Sequence, residues 1–209
     1  MNSTVVLLLG CVSKGDETRQ QILGHALALA SEVGLDGVSI GALAERASMS
    51  KSGLFAHFQS KEALQVAILD EAADRFVREV VAPALREPRG EPRVRALLDR
   101  WQAWSRAQFM PGGCVFVASI ADIDDRPGPV RDRLRATQRD WLDALATAVG
   151  IAIAEGHFRK DLDPRQVAHE LLTAAYGHHL LSRLLGDADF DGRQRTATDR
   201  LLADARVRA

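Results

Sequence analysis

The chain predicts an all-α protein, and three features of its 209 residues carry that expectation. Ala, Leu, Arg and Glu dominate, and these residues give up little side-chain freedom in a helix. Apolar residues recur at steps of three and four along most of the sequence, the period of a one-sided helix. Aromatic residues are only 5% of the chain, and the alternating β-branched runs of half-buried strands are rare.

Each element follows from local chemistry. From Asp16 the pattern is helical, with Ile22, Ala26, Leu29 and Val33 on one face and Gly34 and Gly37 ending the run. Ser39 suits the N-cap of a short helix carrying Ile40, Leu43, Ala44 and Ala47. Ser48, Met49 and Ser50 form the next break, and Ser50 caps a second short helix through His57. Ser60 caps a longer helix with Leu64, Ala67, Ile68, Ala72, Phe76 and Val80 inward and Pro83 as its stop. Pro88, Gly90 and Pro92 mark a linker. Val94, Leu97, Leu98, Trp101 and Trp104 then form a face ahead of Pro111, Gly112 and Gly113. A short apolar helix is expected over 114–121, a turn-rich acidic break over 122–129, and a long helix over 130–154 with Leu134, Trp141, Leu145 and Val149 inward. Asp163 and Pro164 open a helix to about residue 185. Residues 186–192 separate it from a last helix reaching about 206.

The bulk numbers exclude several functions. A formal net charge of −1 gives no global field for nucleic acid, so any such binding depends on local basic groups. Cys11 and Cys114 lie too far apart to suggest a disulfide framework, and a reduced, cytoplasmic setting is expected. Residues 5–12 are apolar and end near a lipoprotein-like Leu-Leu-Gly-Cys, but no Lys or Arg precedes them. A disordered leader over 1–15 is the expectation, with no membrane partner. His169-Glu170 begins like a zinc-protease motif, but Thr173 stands where the second histidine belongs. His178 and His179 are adjacent and point about 100° apart, so no metal site, no cofactor and no enzyme activity are expected.

Residues 39–58 hold the functional signal. Two short helices around a three-residue turn form a helix-turn-helix pattern. Ile40, Leu43, Ala47, Met49, Leu54 and Phe58 would close its small core. Lys51, Ser52, Gly53, Phe55, Ala56 and His57 would face outward or toward the helix start, where a recognition helix meets base edges. From Arg46 to Lys61 there is no acidic residue. Ser39, Arg46, Ser50, His57 and Lys61 are placed to meet phosphate, which positions a protein without reading sequence.

The surrounding residues carry a resemblance. Thr18-Arg19, Ile22-Leu23, the Gly34 break, Ser39-Ile40, Leu43-Ala44, Ser50, Gly53-Leu54, His57-Phe58, Lys61-Glu62 and Leu64 stand at specific spacings. This run resembles the DNA-binding domain of TetR-family transcriptional regulators over about the first third of the chain. Two positions depart from it. Phe55 stands where the family often has a tyrosine whose hydroxyl meets a phosphate, and Ala56 replaces a bulky aromatic. Direct readout is therefore expected from Lys51 on guanine and from Phe55 or Ala56 on a thymine methyl, aided by DNA shape.

The resemblance implies an N-terminal helix-turn-helix domain (16–76) and a larger helical ligand-binding and dimerisation domain (77–209). It also implies a homodimer on palindromic double-stranded DNA and a small-molecule effector, with repression as the family habit. Ala168, Leu171, Leu172, Ala175, Leu201, Leu202 and Ala205 recur at helical spacing on the last two helices and are expected at the dimer interface. Trp101, Trp104, Phe109, Met110, Phe116, Trp141 and Tyr176 are the large residues expected around a pocket for a small hydrophobic effector. An alternative is a regulator that needs no effector, or one switched by oxidation of Cys114, whose position near a helix start would favour the thiolate.

Overall fold

The computed structural model describes residues 14–186 and 189–207, so the leader and Cys11 lie outside the described residues. Four N-terminal helices come first: α1 (Lys14–Gly37), α2 (Ile40–Arg46), α3 (Lys51–His57) and α4 (Lys61–Phe76). A π-helical turn (Val77–Val81) continues α4 into α5 (Ala82–Ala84). Then follow α6 (Glu91–Trp104), α7 (Val115–Ile123), α8 (Pro129–Ala154), α9 (Pro164–Leu185) and α10 (Phe190–Ala205). The all-α expectation holds, with one isolated bridge between Phe158 and Arg206 as the extended pairing among the described residues.

Serine caps set the N-terminal helices. The hydroxyls of Ser39, Ser50 and Ser60 accept from the N–H groups of Ala42, Gly53 and Ala63 at 3.1, 3.1 and 3.0 Å. Each such cap is worth about 1 kcal/mol. Within α1 the helical angles fail at Gly34, with φ 73° and ψ 166°. Between α2 and α3 the chain turns at Ser48, a non-glycine residue with φ 52°. Ile22, Leu27, Leu35, Leu43, Leu54, Phe58, Leu64 and Ile68 are fully buried beneath these helices. Val33 departs from the expected inner face, since it is largely exposed while Leu27 and Ala30 are buried instead.

Pro83 does not stop the fourth helix where expected. The π-helical turn precedes it, and the Ala82 N–H bonds the Val77 carbonyl five residues back. That looser turn relieves the usual clash of a proline ring with the preceding turn. The helical path therefore continues to Ala84.

The C-terminal helices pack around an aromatic cluster. Phe76 of α4 meets Trp104, Phe116 and Trp141 edge-on, with ring centroids 5.4, 6.0 and 5.0 Å apart. Its aromatic neighbours come from α6, α7 and α8, so the long helix from the N-terminal part plugs directly into this core. A second junction runs through α1. The Gly112 N–H donates to Ser31 Oγ at 3.0 Å, and Arg126 pairs with Asp36 at 2.8 Å. On α8, Arg133 pairs with Asp70 of α4 at 2.5 Å.

Candidate nucleic-acid interface

The outward face of α3 matches the sequence pattern. Leu54 and Phe58 are buried, whereas Lys51, Ser52, Phe55 and Ala56 are exposed and Gly53 and His57 are half-buried. Steps of one, four and five residues keep the exposed four on one side of the helix. Phe55 is 52% exposed, which leaves its ring available to a partner. Lys51 makes no ion pair among the described residues, and its stem passes over Gly41 of α2, where a Cβ would stand 3.6 Å from Cε. Gly53 lets the cap close tightly, since a Cβ there would lie 3.2 Å from Ser50 Oγ. The Ser50 hydroxyl also lies 3.1 Å from that of Ser52.

The two flanking cations differ from the expectation of free phosphate contacts. Arg46 donates both Nη atoms to the Glu32 carboxylate of α1, at 2.6 and 3.0 Å. That fork holds the Glu32 carboxyl below its ordinary range. Lys61 donates to the Asp36 carbonyl at 2.6 Å and to its carboxylate at 3.2 Å. Asp36 is held below the usual carboxylate range by Arg126 first and Lys61 second. These pairs lock α2 and α4 onto α1 and leave Lys51 as the freer charge. Arg19, a residue to which the sequence pattern gives no role, stacks over Phe58 at 4.5 Å and donates to the His57 carbonyl at 2.8 Å. It fixes the C-terminal end of α3, and its place in the Thr18-Arg19 pair is the signal that marked it.

The residues expected around a pocket are closely stacked. Trp104, Phe116 and Trp141 surround Phe76, and Phe109 meets Trp104 at 5.3 Å. Trp101 stacks on Tyr176 at 5.4 Å, and the Tyr176 hydroxyl donates to Gln138 at 2.6 Å. Trp101 lines a cavity between α6, α9 and α10, Met110 lines a groove near the end of α9, and Trp141 lines a shallow cleft against α4. Trp101, Met110 and Trp141 thus open onto three separate places, while Trp104, Phe109 and Phe116 pack in the aromatic cluster.

The expected dimer residues need correction. Ala168, Leu171, Ala175, Leu202 and Ala205 are buried within the single chain, where α9 packs on α8 and α10. Only Leu172 and Leu201 of the seven are partly open. The exposed apolar face of α9 lies further along, at Leu180, Leu181, Leu184 and Leu185. The Cys114 expectation also fails on burial. Its thiol stands at the start of α7 but is fully enclosed, and desolvation pushes its pKa up rather than down. Among the described residues no helix is long and apolar enough to cross a membrane.

Comparison with known proteins accords with this geometry. Residues 22–68 match the family model for bacterial regulatory proteins of the tetR family. Residues 90–198 match the model described as tetracyclin repressor-like, C-terminal domain. A TetR transcriptional regulator from Chloroflexus aurantiacus is 28% identical with a TM-score of 0.81, over 93% of this chain and 99% of that one. A TetR-family regulator from Cytophaga hutchinsonii is 22% identical with a TM-score of 0.82, over 95% and 100%. AibR, solved with isovaleryl coenzyme A and operator DNA, is 23% identical with a TM-score of 0.66, over 89% and 96%. No curated protein matches significantly.

Proposed function

Because the chain belongs to the TetR family of transcriptional regulators, we propose that it is a repressor that grips a palindromic operator as a homodimer and releases it when a small effector binds the helical domain. The observation that carries this reading is the exposed face of α3, where Lys51, Ser52, Phe55 and Ala56 project from a helix capped at both ends and held to α1 by Arg19. A short helix of this kind lies in a major groove with its first residues at base edges. Lys51 reads guanine, and Phe55 and Ala56 meet a thymine methyl, which hides the exposed ring on DNA. Ser39, Ser50, Ser52, Gly53 and His57 approach phosphate around it, while Arg46 and Lys61 do so only by sharing or leaving their carboxylates.

One α3 reads few base pairs, so a two-fold pair is needed. Leu180, Leu181 and Leu184 of α9 recur on one side of the helix and are 49–81% exposed, which suits an isologous contact with a second copy. Leu172 and Leu201 flank it as partly open positions. Half-sites then lie about one helical turn, 34–36 Å, or a multiple of it apart. Release needs only modest coupling: a hundredfold loss of operator affinity corresponds to about 2.7 kcal/mol. AibR, solved in complex with isovaleryl coenzyme A and operator DNA, supports this reading, since a protein of this fold there takes both kinds of partner.

The test is fluorescence anisotropy with duplexes tiled from the DNA flanking the gene. Tight, salt-sensitive binding to a duplex with inverted half-sites is expected. Equal affinity for every duplex, or none for any, would overturn the reading.

A further inference from the structure

A groove of about 470 Å³ lies between the turns after α6 and the last turns of α9. Its polar lining includes Ser105, Arg106, His178, His179, Ser182 and Arg183, with no carboxylate among the described lining residues. Arg106 already pairs with Asp191 at the start of α10. Among the described residues Arg183 makes no ion pair and one hydrogen bond, to the Pro111 carbonyl, which is long at 3.5 Å. Gly113, at φ 91°, sits so close that a Cβ would lie 2.6 Å from the His179 ring and 2.9 Å from Arg183 Cδ. That contact holds both side chains against the groove wall.

His178 supplies an independent observation. It is 8% exposed, its Nε2 faces the Asp191 carboxylate at 3.5 Å, and its Nδ1 is buried with no hydrogen-bond partner among the described residues. Asp191 favours the tautomer with the proton on Nε2, which leaves Nδ1 a lone-pair acceptor. A buried acceptor left unpaired costs about 1–3 kcal/mol, so it marks a place where a donor belongs. The groove therefore carries a guanidinium with no carboxylate partner among the described residues, and one of its lining side chains, His178, holds an unpaired buried acceptor. The surrounding cations also disfavour charge on His179, which burial first and then Arg183 hold at about 4.

We infer that this groove binds a small hydroxy carboxylate, with the carboxylate on Arg183 and the hydroxyl donating to His178 Nδ1. The apolar edge formed by Ala107, Met110 and Pro111 takes its short carbon chain. Occupancy reaches the DNA-binding part through the lining residue Pro111, since the next residue, Gly112, is seated on Ser31 of α1. Only this last consequence rests on the regulator reading above.

Calorimetry on the full chain without DNA tests the site. The probes are 2-, 3- and 4-hydroxybutyrate at millimolar concentration, with butyrate and butyramide as controls. At least one hydroxy acid is expected to bind about tenfold more tightly than butyrate, the worth of one well-placed hydrogen bond, and butyramide is expected not to bind. Arg183→Gln, on an exposed side chain that leaves the fold intact, should weaken the hydroxy acid at least tenfold. His178→Phe should erase the preference over butyrate. Binding of butyramide equal to that of the acids, no binding of any acid, or an unaltered affinity in Arg183→Gln overturns the site. The same hydroxy acid is then added to the protein–operator complex, where release is expected. Calorimetric binding without release refutes the link to DNA while leaving the site standing.

Discussion

Replacing Gly112 by alanine tests how the DNA-binding helices are tied to the larger helical part. A Cβ at this position would lie 1.8 Å from the Ser31 carbonyl oxygen, 2.1 Å from its carbon and 2.4 Å from the Glu32 nitrogen. Real Cβ atoms essentially never come within 3.0 Å of such neighbours, so the loop and α1 must separate by at least about 1.2 Å, the difference between that limit and the closest contact. All three neighbours are helix main chain, so no rotamer change absorbs the strain. The Gly112 N–H to Ser31 Oγ bond of 3.0 Å lengthens with it. Overpacking of this kind costs about 1–3 kcal/mol. With a urea slope of about 2–3 kcal/mol per molar for a chain of this size, the unfolding midpoint should fall by about 0.3–1.5 M. Ser31→Ala, which removes the hydrogen bond without adding bulk, should cost only about 1 kcal/mol. Operator affinity measured beside the melts should fall further in Gly112→Ala than in Ser31→Ala, because only the former displaces α1. A Gly112→Ala protein with an unchanged midpoint and unchanged affinity would refute the docking of this loop on α1.

Three further outcomes are expected. Lys51→Ala should lower the preference for operator over random duplex about tenfold, the worth of one base contact, whereas Lys61→Ala should weaken both duplexes alike and reduce the slope of affinity against salt; identical effects from the two would contradict their assigned roles. Glu91 accepts from Arg206 at 2.7 and 2.8 Å and from Arg95 at 2.8 Å, and Arg206 first, then Arg95, hold its carboxyl at about 2 instead of 4.5. Its folded value is the lower one, so its stabilisation is complete above pH 4.5 and is lost as pH falls toward 2; Glu91→Gln should flatten the melting temperature across that window, and an unaltered acid profile would disprove this. Leu184 is 81% exposed in the single chain, so Leu184→Glu should yield a folded monomer by light scattering with little change in secondary structure, and a persistent dimer would place the interface elsewhere.

The parts of the molecule legible in its sequence are those governed by neighbours in sequence. Ser39, Ser50 and Ser60 were recognisable as caps because the group each serves lies three residues on. Lys51, Ser52, Phe55 and Ala56 could be assigned outward because a single helical period separates them from Leu54 and Phe58. Long-range partners left no such trace. Glu32 and Asp36 stand 14 and 25 residues from the cations they hold, and nothing local shows that Arg46 and Lys61 are engaged. Ala168, Leu171 and Leu202 have the apolar spacing of a buried face, but spacing does not say whether the covering surface belongs to the same chain or to a second copy. At Cys114 the helix start was visible and the enclosure was not, and enclosure decides the thiol's ionisation.

The π-helical turn has a consequence for how this chain tolerates insertion and deletion. Every fourth residue from Leu64 through Ile68, Ala72, Phe76 and Val80 to Ala84 is buried. At 3.6 residues per turn such a row drifts by about 40° per step, which over this span would carry Ala84 to the far side of the helix. The wider turn at Val77–Val81 takes up part of that drift and keeps Val80 and Ala84 nearer the buried side. Removing one residue there would let the turn close as ordinary α-helix, because a π-helical turn holds about one residue more than an α-helical one, and Ala84 would keep its phase. The same loss between Leu64 and Phe76 would instead rotate Val80 and Ala84 by about 100° toward water.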